Sequence, residues 1–196
     1  PSARRAAGVE DVFLMDPKDT LRARTITLVG LMGSGKSSVG KRLAQALDLP
    51  FRDADEEVEI AAGRSIPEIF EQLGEPAFRD GERRVIARLL EGPPLVLATG
   101  GGAFMNPETR ALIKARSTSV WLKADLPVLA RRVARKDNRP LLTGRDPLTV
   151  LTEQAQARYP AYSEADIIVE TGDAPHQLTV DQVVRALVDW QARAGA

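Results

Sequence analysis

No cysteine occurs in the 196 residues, so disulfides, thiolate metal sites and cysteine nucleophiles are excluded. Charge of one sign is also lacking, because 27 Lys+Arg face 27 Asp+Glu. No overall field therefore draws the chain to nucleic acid or to a membrane surface, and an anionic ligand must be held by local groups. Small-molecule substrates are the expected partners. No apolar run approaches the roughly 18 residues of a membrane span, which leaves no membrane role and makes the cytoplasm the expected compartment. The one histidine, His176, falls in a stretch read as a late loop, where its imidazole is expected in solvent. Residues 1–24 carry Arg4, Arg5, Lys18, Arg22 and Arg24 among Glu10, Asp11, Asp16 and Asp19, without the apolar segment of a signal peptide. They are expected to form a flexible or loosely docked extension. Residues 25–196 suffice for one domain with its own core, expected to be a monomer.

What the chain does have is a glycine-rich octet, Gly30-Leu31-Met32-Gly33-Ser34-Gly35-Lys36-Ser37, which fits G-x-x-x-x-G-K-[ST]. It follows a β-branched run, Thr25-Ile26-Thr27-Leu28-Val29, and precedes an amphipathic helical pattern, as a phosphate-binding P-loop requires. Glycines let the backbone turn successive N–H groups toward phosphate oxygens, and the helix N-terminus adds partial positive charge. In this frame Gly33, Ser34, Gly35, Lys36, Ser37 and Ser38 are the expected ATP-binding residues. Lys36 reaches the β- and γ-phosphates, and the Ser37 hydroxyl faces Mg²⁺.

Short apolar runs and helical patterns alternate along the rest of the chain. Strands are expected at 25–29, around Phe51-Arg52, at Leu95–Ala98, at Val120–Leu122 and at Ile167–Val169. Helices are expected from Lys36, over 56–62, from a Ser65-Ile66-Pro67-Glu68 capping box to Gly74, then through Leu90, from Asn106-Pro107, from Asp125 to about Arg135, over 148–158 and from Thr179. The pattern lapses at 136–146, which reads as a loop with Pro140 and Gly144. Five strands alternating with helices give an α/β fold of three layers, α/β/α, around a five-stranded parallel sheet. Ligands of such a sheet sit at the carboxyl ends of its strands, where the P-loop and the Gly100-Gly101-Gly102 turn both fall.

P-loops serve motors, switches and transferases alike. There is no N-K-x-D motif of a GTPase, and the run Leu95–Ala98 ends in glycines rather than in the acidic residue of a motor ATPase. The nearest acids are Asp53 and Asp55, which point the same way if the segment is extended. One could assist Mg²⁺ and the other accept a proton from an attacking hydroxyl. A bland reading is equally simple: Asp55 caps the following helix and Asp53 lies at the surface.

Gly30–Ser38, Asp53-Ala54-Asp55, Gly63-Arg64-Ser65-Ile66, Phe78-Arg79-x-x-Glu82, Gly100-Gly101-Gly102-Ala103 and Arg139-Pro140-Leu141-Leu142 follow the order and spacing of the shikimate kinases. The chain resembles that family over about residues 25 to 190. The resemblance implies a P-loop NTPase fold of the nucleoside-monophosphate-kinase type and transfer of the ATP γ-phosphoryl to the 3-hydroxyl of shikimate, on the route to chorismate and the aromatic amino acids. It also implies Mg²⁺ as cofactor, an acceptor-binding region at about 53–82 and a lid at about 136–146. Residue by residue, Asp55 matches the aspartate at the shikimate hydroxyls and Asp53 the one near Mg²⁺. Arg79, Arg158 and the Gly101 backbone match the carboxylate-binding groups, Arg139 the lid arginine at the phosphates, and Arg132 the arginine over adenine. Lys36, Asp55 and Arg139 are then the catalytic residues.

Chemistry agrees with that assignment, since shikimate is a compact anion with three hydroxyls. Arginine offers a carboxylate two parallel N–H donors, and Glu82, one helical turn after Arg79, could hold that guanidinium. Phe70 and Phe78 could pack on the substrate ring or simply belong to a buried helix stripe. Arg79 and Arg158 could equally be solvated helix charges, and Arg131, Arg132 and Arg135 crowd one short helix. Two other functions fit the P-loop: a sibling kinase for gluconate or a nucleotide, and a non-catalytic ATP-binding module. The paired acids and the arginines argue against both.

Overall fold

The computed structural model describes residues 17–135 and 145–194. Strand β1 (Thr25–Val29) is buried along its whole length, and its β-branched residues suit a central strand covered on both faces. It pairs in parallel with β3 (Val96–Ala98) on one side and β4 (Ser117–Ala124) on the other, in the registers Leu28↔Ala98 and Leu28↔Val120. Short β2 (Phe51–Asp53) and β5 (Ile167–Thr171) close the edges, giving the order β2-β3-β1-β4-β5. The alternation of β5, with Ile168 outward and Ile167 and Val169 inward, is that of an edge strand open on one face.

Alternate residues of each inner strand feed two cores. Ile26, Leu28, Val96, Val120 and Leu122 meet α2 (Lys36–Leu47) and α8 (His176–Ala194), through Val39, Leu43, Val183 and Leu187. Val29, Leu97 and Trp121 face the other way, toward α4 (Ile66–Glu91), α5 (Pro107–Arg116), α6 (Leu126–Ala134) and α7 (Pro147–Tyr162), through Ile86, Ile113, Leu129, Leu151 and Tyr162. A smaller cluster of Val58, Ile69, Phe78 and Val85 joins α3 (Ala54–Ala62) to α4. The expected three layers and parallel five-stranded sheet are present.

Local signals set most boundaries. Ser65 and Glu68 form the expected capping box, and Gly74, at φ 80 and ψ 170, interrupts α4 where two helices were expected. Asn106 accepts from the N–H groups of Glu108 and Thr109 ahead of Pro107. Several elements run longer than their sequence signals, β5 and α3 by two residues each. β4 begins at Ser117 because its polar start is satisfied in the interior: Thr27 bonds Ser117 at 2.8 Å, and Asp166 accepts from both the N–H and the hydroxyl of Ser119. α7 continues through Pro160 to the fully buried Tyr162, since core packing outweighs the one backbone bond that proline cannot make. α8 starts at His176, three residues before Thr179.

The boundary at Thr25 needs correction as well. Pro17–Arg22 forms a short helix, α1, whose Leu21 is 2% exposed and lies in the core with Leu47 and Leu187. Arg22 Nε donates to the Leu47 carbonyl at 2.7 Å, and Gln191 donates to the Thr20 carbonyl. Leu21→Ala should therefore lower unfolding free energy by about 2–4 kcal/mol in urea titration, the usual cost of emptying a buried leucine site. An extension merely tethered at Thr25 would show no change.

Candidate active site

At the carboxyl end of β1 the backbone turns through Gly30 at φ 149, Gly33 at φ 79 and Gly35 at φ 91, conformations open chiefly to glycine. A side chain would also collide there: a Cβ on Gly30 would stand 2.8 Å from the Leu122 carbonyl oxygen, and one on Gly33 2.8 Å from Val133. Gly35 caps α2 without any side-chain bond to the first turn, which leaves those N–H groups to an anion. Ser34 is buried, and its hydroxyl has no hydrogen-bond partner among the described residues. Lys36 Nζ donates to the Gly30 and Leu31 carbonyls, both at 2.9 Å, so the ammonium is held across the loop. This loop forms one wall of a cleft of about 540 Å³.

Asp53 and Asp55 form the facing wall. Ser37 Oγ donates to Asp53 Oδ2 at 2.6 Å, while Asp53 Oδ1 accepts from the Asp55 N–H and so caps α3. The capping role considered for Asp55 thus belongs to Asp53, and Asp55 has its carboxylate free of that duty, beside Gly100. Burial pushes the Asp55 carboxyl up to about 6, helped by the neighbouring charges of Asp53 and Glu82 and opposed by Lys36 and Arg79. Ser37 and Asp53 present two hard oxygens side by side, which suits Mg²⁺ completed by phosphate oxygens rather than by an all-protein cage.

Beyond Gly100 two arginines, Arg79 and Arg158, approach the glycine turn. Arg79 Nη1 donates to Glu82 at 2.9 Å, and Glu75 sits at 3.3 Å on the other side of the same guanidinium. Glu82 is only 3% exposed, and its carboxyl is raised by burial against the pull of Arg79 and Arg158. The guanidinium groups press on the glycine turn. A Cβ on Gly102 would fall 2.6 Å from Arg79 Nη1, and one on Gly101 2.9 Å from Arg158 Nη1. Tyr162 Oη donates to the Gly101 carbonyl at 2.5 Å. Of the two phenylalanines, Phe78 is buried with Val58 and Val85, whereas Phe70 is 39% exposed and rests on the Phe78 ring at 4.8 Å between centroids.

Arg132 also lines the cleft, donating to the Gly172 carbonyl at 2.8 Å, while Arg131 turns away to Asp173 at the surface. Gly33, Gly35, Lys36, Ser37, Ser38, Asp53, Asp55, Gly101 and Arg132 thus share one cleft, with Arg79 and Arg158 on the turn that forms its end. Arg139 and the stretch 136–144 lie outside the described residues. His176 departs from expectation: it opens α8 and packs on the P-loop, its Cε1 3.5 Å from where a Gly35 Cβ would be. Its imidazole is pushed down by partial burial and by Arg42 and Arg132. No local sequence signal marks that position.

The model of the family described as shikimate kinase matches residues 32–188. A shikimate kinase of Caulobacter vibrioides is 70% identical over 175 residues, 89% of this chain and 88% of that protein. One of Paramagnetospirillum magneticum is 57% identical over 167 residues, 85% of this chain and 86% of that protein. The solved structure of the shikimate kinase of Acinetobacter baumannii, in complex with shikimate, superposes with a TM-score of 0.82 at 35% identity, covering 88% of this chain and 98% of that one. The family model and these relatives, which span most of the chain, show that it belongs to the shikimate kinase family.

Proposed function

We propose that this chain transfers the γ-phosphoryl group of ATP to the 3-hydroxyl of shikimate. The observation that carries the reading is the meeting, in one cleft, of a phosphate loop, a half-buried carboxylate and an arginine-lined glycine turn. Each part has one task. Lys36 and the N–H groups of the loop hold the phosphates, and Ser37 and Asp53 are the residues that would hold Mg²⁺, which when bound supplies charge neutralisation at the β- and γ-oxygens. Arg79, Arg158 and the Gly101 N–H take the acceptor's carboxylate, which sets its hydroxyl against Asp55. Asp55 then receives the hydroxyl proton as the oxygen bonds to the γ-phosphorus and the bond from that phosphorus to the bridging oxygen breaks. A carboxyl near 6 is a stronger base than an ordinary aspartate and is still ionised at neutral pH. Arg132 borders the nucleotide end, and Arg139 is assigned the phosphates through the family motif.

Lys36→Ala should cut kcat by about 10²-fold or more, the typical loss of one charge-stabilising donor, with the circular dichroism spectrum unchanged. Wild-type turnover at saturating ATP would remove the loop from the mechanism.

Asp55→Asn should lower kcat by about 10²-fold or more with ATP affinity nearly unaltered. The base works only when deprotonated, so wild-type kcat/KM for shikimate should fall as pH drops through about 6, and the asparagine variant should lack that acid limb. Thermal unfolding at pH 8 should show the variant no less stable, because an ionised group has been removed from beside Asp53 and Glu82.

Arg79→Ala or Arg158→Ala should weaken shikimate binding by about 1.5–3 kcal/mol, as for hydrogen bonds to charged groups, and leave ATP binding alone. Isothermal titration with each substrate separates the two; equal losses would assign these arginines to the nucleotide or to the fold.

A further inference from the structure

The Gly100-Gly101-Gly102 turn poses a physical problem. Three successive glycines have more backbone freedom than any other tripeptide, yet a useful anion donor must point one way before its ligand arrives. The structure ties each of the three carbonyls. Gly100 O accepts from the Ala103 N–H at 3.2 Å, and Gly102 O accepts from the Met105 N–H at 3.0 Å, both local bonds of the ensuing 3-10 turn (Ala103–Met105). Gly101 O is held differently, from 61 residues away along the chain, by the phenol of Tyr162 at 2.5 Å.

That phenol is itself placed rigidly. Tyr162 is fully buried, with its ring against Trp121 at 5.7 Å, Tyr159 at 6.4 Å and Phe104 at 6.5 Å between centroids. Burial pushes the hydroxyl up to about 12, so it remains a donor throughout the working pH range. The Arg158 guanidinium lies one turn back on α7, and a Cβ on Gly101 would meet Arg158 Nη1 at 2.9 Å and Tyr162 Oη at 3.8 Å, so both groups approach the same side of that residue. One hydroxyl therefore bonds the glycine turn beside an arginine that closes on the same residue.

We infer that Tyr162 is the positioning residue of the acceptor site: its hydroxyl fixes the Gly101 peptide and the Arg158 guanidinium together in the carboxylate-binding geometry before shikimate enters. This rests on the proposed carboxylate role of Arg79, Arg158 and Gly101. Tyr162 does not touch substrate, and its effect passes entirely through those groups. Without the hydroxyl, the Gly101 carbonyl loses its partner and the Gly101–Gly102 peptide can rotate, which loosens the turn that carries the Gly101 N–H.

Tyr162→Phe removes one oxygen and keeps the ring packing, so the fold should survive. The KM for shikimate should rise about tenfold, as expected for loss of one buried hydrogen bond, while kcat and the KM for ATP stay within about twofold. Placed on an Arg158→Ala background, the same change should raise KM much less, because the clamp it serves is already broken. An unchanged KM for shikimate, a KM rise shared equally by ATP, or full additivity with Arg158→Ala would overturn the inference. Arg79→Ala run in parallel keeps the two ideas apart: if it leaves shikimate binding intact, the carboxylate assignment fails, and if it weakens binding while Tyr162→Phe does not, only the role of Tyr162 fails.

Discussion

The parallel register of β1, β3 and β2 is the constraint from which the site follows. Leu28 lies opposite Ala98, and Asp53 lies opposite the same Ala98. Three loops whose starts lie 23 and 47 residues apart in sequence consequently leave the sheet at one level. The P-loop begins at Gly30, the acidic pair at Asp53, and the glycine turn at Gly100. Thr99 locks this level by donating both its N–H and its hydroxyl to the Leu28 carbonyl. A slip of one residue would move a loop by about 3.3 Å and turn every side chain of that strand to the opposite face. The P-loop, Asp55 and the arginine-lined glycine turn would then no longer meet.

Charge is concentrated there in a chain whose overall balance is zero. Asp55, Glu82, Arg79, Arg158 and Lys36 face one another in partly dry surroundings, where unpaired charges are costly and paired ones are held stiffly. Glu82 shows the compromise most plainly: one oxygen is bonded to Arg79, and the other has no hydrogen-bond partner among the described residues. Burial above all, helped by the charges of Asp53 and Glu82, raises the basicity of Asp55. Glycine makes the arrangement sterically possible, because any side chain at 101 or 102 would occupy the space into which the guanidinium groups reach.

Much of this was legible in the amino-acid order because its signals are local. The P-loop glycines, the capping box at Ser65, the break at Gly74 and the Asn106-Pro107 cap act within a few residues, so spacing alone identifies them. A β-branched run likewise marks β1, and a continuous apolar run marks β3, as strands of the sheet's interior. The order of motifs pointed to the family. Asp53 and Asp55 do line one cleft, but Asp55 already lies in the first turn of α3, so helix geometry and the Asp53 cap bring them together rather than an extended segment.

Other features were decided by contacts between distant segments. The Ser117–Ser119 start of β4 looks like a polar loop until Thr27 and Asp166 satisfy it. Leu21 is one leucine in a charged stretch until α2 and α8 supply its pocket. His176 has no motif around it, and only the packing of α8 on the P-loop brings it to the cleft. Tyr162 sits beyond a proline that ordinarily ends a helix, yet the aromatic cluster carries α7 onward and sets its hydroxyl on Gly101. Local order thus determined which residues could bind phosphate and where the chain would turn, since those properties reside in neighbouring backbone and side-chain chemistry. The sheet's register and the helices' packing decided which charges meet, because burial and hydrogen bonding between remote residues exist only once the chain is folded.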